Sequence, residues 1–185
     1  MKRLVAILIG ALAIGGGVRG QTAPDTPPSA AVIKNFQHDV RIGHFDAVAE
    51  ALARDPGLAV AAGEFGFSAM NLQDMYFDPQ IFALLLKNGA DVNATNDDGI
   101  TLLHILAEPE HVPLLIANGA DLEARDVLGR TPLLVQIEEP ERQDMIKALL
   151  AAGANPNTRG NQGQTPLGVA EDDQDSETAD LLRRY

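Results

Sequence analysis

No cysteine occurs in the 185 residues, and only four histidines do. The first absence excludes a disulfide-stapled domain, a thiolate nucleophile and a lipid anchor on an N-terminal cysteine. It suits an oxidising compartment, where a stray thiol is a hazard. Positive charge is also scarce: there are 14 Lys and Arg against 26 Asp and Glu, and without Lys2, Arg3 and Arg19 the balance is 11 against 26, or −15. A body that acidic repels a phosphate backbone and an anionic bilayer, which excludes nucleic acid and anionic membrane surfaces as partners. It steers towards a basic protein partner, and it also keeps the chain soluble. Long apolar runs are missing: the strongest, Leu4 to Ile14, is about half of the roughly 20 residues that a bilayer span needs. No phosphate-cradling glycine loop and no paired carboxylates stand out. Asp172 to Glu177 is acidic but lacks the glycine and the terminal glutamate spacing of a calcium loop.

What is present is one unit written several times. Thr101, Thr131 and Thr165 are set apart by the same two intervals that separate Gly89, Gly119 and Gly153. Two landmarks moving together define a period of roughly 33 residues, that of stacked helix–turn–helix units. Threonine at the start of a first helix is placed to accept backbone N–H bonds, and proline after it (Pro132, Pro166) fills a position whose N–H is an orphan anyway. Glycine after the second helix supplies a left-handed terminal residue, and the Asp or Asn after Gly-Ala closes the next turn. Near the C-terminus, Ser176 is expected to cap a last helix with Leu181 and Leu182 facing inward.

These residues resemble the ankyrin repeat, whose pattern runs Asp-x-x-Gly-x-Thr-Pro-Leu-His, then Leu-Leu, then Gly-Ala-Asp-x-Asn. A second unit reads Gly66, Ser68, Ala69 and Met70, then Leu84 to Ala94, and a third runs Asp98 to His104 and then Leu114 to Asp121. The fourth runs Asp126 to Leu133 and then Leu149 to Asn157; a fifth begins at Gly163. Gly43-His44 and Val48 to Pro56 read as a worn first unit. The resemblance covers about residues 30–185. It implies an all-α solenoid of about five helix–turn–helix units with hairpin fingers over residues 31–185, acting by protein binding, not as an enzyme, and with no cofactor. Phe36, Phe45 and Phe82 are expected in its core. His44 and His104 stand where the family's imidazole bonds neighbouring backbone.

Two units depart from the pattern. The third is about one helical turn short, and Glu108 to Pro113 sits where the turn is lost, with two prolines that forbid a continuous helix. The fourth carries Glu138-Glu139-Pro140-Glu141 and is one residue long.

The segment Met1 to Gly20 follows another logic. Met1-Lys2-Arg3 is a basic start, Leu4 to Ile14 an apolar run, and Val18-Arg19-Gly20 a cleavage site before Gln21. Together they read as a signal peptide cut near Gly20, followed by a flexible Pro-rich leader at 21–30 and delivering a periplasmic or secreted chain with no membrane contact after cleavage.

In ankyrin arrays partners meet the finger tips and the exposed side of the first helices. Carried onto this chain, the resemblance implies a contact set of Phe65 and Phe67, Met75 and Tyr76, Asp97 and Asp98, and Val127, Leu128 and Arg130. Aromatic anchors beside a charged field are the composition of an interface with a hot spot. Phe65 and Phe67 equally suit the core beneath a degenerate first unit. The alternative from another class is a metal-dependent enzyme or sensor using His111 with Glu108, Glu110 and Asp144.

Overall fold

A computed structural model describes residues 27–73, 77–139 and 141–185 of the chain; the expected signal peptide, most of the leader, Met75 and Tyr76 lie outside these. The described residues are helical, without a strand. They form α1 (Ala30–Arg41), α2 (Phe45–Arg54), α3 (Pro79–Lys87), α4 (Leu102–Ile105), α5 (Val112–Ala117), α6 (Pro132–Glu138), α7 (Gln143–Ala152), α8 (Pro166–Asp172) and α9 (Ser176–Leu182). Tight 3-10 turns at Pro56–Ala59, Glu64–Gly66, Met70–Leu72 and Pro109–His111 join them.

The elements pair into five units stacked in sequence. First members form one layer, with α1 against the 70–72 turn, that turn against α4, then α6 and α8. Second members form the other, with α2 against α3, α5 against α7 and α7 against α9. Each unit adds to one continuous core: Phe36 and Leu52, Phe82 and Leu85, Leu103 and Leu115, Leu133 and Leu149, Ala170 and Leu181. A single unit has no such interior, so burial is supplied only by the stack.

The glycine landmarks do what the pattern requires. Gly89, Gly119 and Gly153 have φ of 91°, 88° and 103°. Their N–H groups donate to Leu86, Ile116 and Leu150, each at 3.0 Å, and the following alanine N–H groups reach Leu85, Leu115 and Leu149, also at 3.0 Å. Three helices thus end in one repeated left-handed closure.

The threonines behave less uniformly. Thr165 caps α8 by accepting from the Gly168 N–H at 3.1 Å. The Thr101 hydroxyl turns instead to the His104 ring at 2.8 Å, and the Thr131 hydroxyl makes no cap bond. The last helix is capped by Asp175, not Ser176: the Asp175 carboxylate accepts from the Thr178 N–H at 3.0 Å. Thr178, first through its side chain and then through its N–H, holds that carboxyl below the usual carboxylate range.

The first unit is worn in sequence yet complete in structure, with helices of 12 and 10 residues. Ser29 caps α1 by accepting from Val32 N–H at 3.4 Å, and the helix begins one position before the expected start at 31. In the second unit the first helix shrinks to the single 3-10 turn Met70–Leu72. Asn71 bonds back to Ser68 there, the local competition that makes short polar side chains poor helix formers. In the third, α4 keeps four residues, and Pro109 and Pro113 begin new turns. Phe36 and Phe82 are buried as expected, but Phe45 lies at the surface end of α2, at 36% exposure.

Candidate functional site

Between units the chain runs out as hairpin fingers, each closed by one backbone bond: Gly63 to Phe67 (2.8 Å), Asn96 to Ile100 (3.2 Å), Asp126 to Arg130 (3.1 Å) and Gly160 to Gln164 (3.0 Å). Adjacent fingers are bonded to each other. Asp97 N–H donates to Phe65 C=O at 3.0 Å, Val127 N–H to Asp98 C=O at 2.9 Å, and Asn161 N–H to Leu128 C=O at 2.9 Å. The approach is close because Gly99 has no side chain: a Cβ there would stand 3.0 Å from the Asp126 Cα. The tips therefore form one fixed row.

Along that row apolar and acidic side chains alternate. Phe65 is 73% exposed, Val127 60% and Leu128 44%, with exposed Asp97 and Asp98 between them. Phe65 also holds φ 56°, a conformation that costs a bulky residue energy. Phe67 is half-buried, and its carbonyl accepts from Gln37 Nε2 at 2.6 Å, tying α1 to the first finger. Between them opens a groove of about 720 Å³ lined by Ile33, Lys34, Gln37, Arg41, Phe65 and Leu72, among others.

Arg130 stands apart from the rest of the contact set. It is half-buried, with Nε 2.7 Å from Asp126 Oδ2 and Nη1 2.5 Å from Glu138 Oε2. Burial opposes its charge, but the bonds from the two carboxylates outweigh it and raise the pKa above the ordinary 12.5. Its guanidinium is committed inside the molecule, as a clamp between the finger and the end of α6.

His104 fills the role that the pattern implies. Its Nδ1 accepts from the Thr101 N–H at 3.1 Å, so Nε2 carries the proton and donates to Arg130 C=O at 3.2 Å. Burial pushes its pKa below 6.5, against the opposing effect of that carbonyl and of Asp126. A residue that the sequence reading passed over does the same in the second unit. Asn71 Oδ1 accepts from Ser68 N–H (3.1 Å) and hydroxyl (2.8 Å), while Nδ2 donates to Ala94 C=O (2.8 Å) and Ile100 C=O (3.1 Å). Ser68 and Asn71 stand one full repeat before Thr101 and His104, with the same spacing between them, which is the signal that could have found it.

His44 differs from the expectation: its exposed ring lies 3.4 Å from the Asp39 carboxylate rather than bonding neighbouring backbone. The metal alternative does not assemble. His111 Nε2 stands 3.3 Å from Glu108, its ring lies 4.4 Å from that of Phe77, and Asp144 pairs with Lys147. Among the described residues no three His, Asp or Glu side chains converge on one point.

A family model described as ankyrin repeats, in three copies, matches residues 74–160. No curated protein is significantly similar to the chain. Among the described residues no helix is long and apolar enough to cross a membrane. Ankyrin repeats are protein-interaction modules and typically carry no catalysis. The three matched copies lie inside the five-unit stack with its repeated glycine closures and bonded fingers, and the chain is an ankyrin-repeat protein.

Proposed function

We propose that this ankyrin-repeat protein is an exported, periplasmic or secreted binding module that acts by stoichiometric contact with another protein. The observation that carries the reading is the fixed row of exposed apolar tips, Phe65, Val127 and Leu128, with Asp97 and Asp98 between them. An isolated exposed apolar residue is ordinary; a row held by backbone bonds is preorganised, so little ordering entropy is lost on binding. The acidic tips suit basic groups on the partner and raise the association rate by steering. Inhibition of a partner enzyme, immunity to a toxin and protection of a client all use such one-to-one contact. The basic start, apolar run and small-residue site between Met1 and Gly20 support export.

The test compares affinity capture from native envelope extract by wild-type protein and by the Val127→Asp/Leu128→Asp variant. Both tips are exposed, so the variant is expected to stay folded. One protein held stoichiometrically by wild type and lost from the variant supports the reading. Equal capture by both removes the finger row as the contact face. N-terminal sequencing of the native protein checks export, with a start near Gln21 expected.

A further inference from the structure

The groove between α1 and the first finger departs from the rest of the molecule in charge. Lys34 and Arg41 are exposed along its α1 wall, with no Asp or Glu paired to them among the described residues. In a chain with 26 acidic residues, two adjacent unpaired cations are out of proportion. Their other neighbours in the groove are apolar: Ile33, Phe65 and Leu72. The seven-residue spacing puts both cations on one face of the helix, about 10 Å apart along its axis. An extended polyproline-type segment advances about 9 Å in three residues and returns to the same face. Carboxylates at positions i and i+3 of such a segment therefore match the two cations.

Resting on the binding reading above, we infer that this groove is a subsite for an extended acidic segment of the protein partner. Its carboxylates meet Lys34 and Arg41, and an apolar side chain between them meets Phe65. The Gln37 bond to the Phe67 carbonyl sets the groove's width, so the site exists before the partner arrives. The exposed Phe65 ring, held at φ 56°, is the groove's rim and at the same time the first tip of the finger row. Next to it Asp97 and Asp98 begin an acidic stretch, so the two sides of Phe65 ask for opposite charges. A bound segment then lies in one direction, with its acidic part on α1 and its basic part across the second finger.

The test is fluorescence anisotropy with labelled, N-acetylated hexapeptides of the form Gly-Asp-Leu-Pro-Asp-Gly, against Lys-for-Asp and Ser-for-Asp counterparts. The acidic peptide is expected to bind at least about tenfold more tightly than either, with the preference shrinking as salt rises. The Lys34→Glu/Arg41→Glu variant should lose the preference, and Lys34→Gln/Arg41→Gln should weaken it without reversing it. A control reversing two exposed cations elsewhere, Lys87→Glu/Arg184→Glu, should keep it, and circular dichroism checks that each variant is folded. Equal or tighter binding of the basic peptide, binding of none, or an unaffected preference in the groove variants overturns the inference. Those results leave the finger-row reading standing, because that reading fails only if capture survives the Val127→Asp/Leu128→Asp change.

Discussion

Replacing Asn71 by alanine removes, in one step, everything that ties the shrunken first element of the second unit to the next finger. The amide joins the Ser68 N–H and hydroxyl on one side to the Ala94 and Ile100 carbonyls on the other, and its side chain is buried. Each buried group left without a partner costs about 1–3 kcal/mol, but water reaches some of them and the terms are not additive. A net loss of about 2–4 kcal/mol follows, a large share of the roughly 5–15 kcal/mol that holds a domain together. At about 2–4 °C per kcal/mol for a chain of this size, the melting temperature should fall by around 5–15 °C. Thermal melts followed by circular dichroism, with urea titrations beside them, read this directly. The decisive companion is Asn71→His, because His104 makes the equivalent bonds one unit later; it should recover at least half of the loss. Asn71→Ala within about 0.5 kcal/mol of wild type, or Asn71→His no better than alanine, would refute the assignment.

Three further outcomes follow. His104 is neutral when folded and its pKa is lowered by burial, so the unfolded chain takes up a proton first as pH falls below 6.5. Stability should therefore decline from about pH 6.5 until the folded pKa is passed, and His104→Asn, which borrows the second unit's solution, should flatten that decline in melts between pH 7 and 5. Gly99→Ala should cost about 2 kcal/mol or more, because φ is 76° and a Cβ meets the next finger; Gly89→Ala, at φ 91° with nothing within 4 Å, should cost only the roughly 1–2 kcal/mol of the left-handed conformation. Urea denaturation of the pair measures how tightly the fingers are set. Arg130→Ala strips its guanidinium from the buried Asp126 carboxylate and should destabilise by about 1–3 kcal/mol, while Asp126→Asn, which copies Asn96, should soften that penalty in a double-mutant cycle.

The periodic landmarks made the stack legible because each marks a backbone need. Gly89, Gly119 and Gly153 answer a left-handed helix end, and no other residue does so freely. What could not be read was any role that two residue types fill equally well. Asn71 in place of histidine is one such role, since it presents an acceptor and a donor with the same reach. Asp175 in place of Ser176 is another, where either side chain could cap and only helix phase decides. Exposure was equally hidden. Phe45 and Phe65 carry the same side chain as Phe36 and Phe82, and only the path of the chain through the first finger separates rim from core. Arg130 reads as a finger contact until Asp126 and Glu138, one on each side of it in the chain, are seen to close on it.

Because packing runs from each unit to its neighbour, the array has no central keystone. Pulled from its two ends, a globular protein with a shared interior gives way at once; this one should peel from an end, unit after unit. Each event would release about 30 residues, or roughly 100 Å of extended chain. The finger row adds a second seam parallel to the helices, since Phe65 to Asp97, Asp98 to Val127 and Leu128 to Asn161 must also part. Those bonds lie across the pulling direction and break one at a time, so the molecule resists as a zipper with a spring's even force rather than as a brittle block.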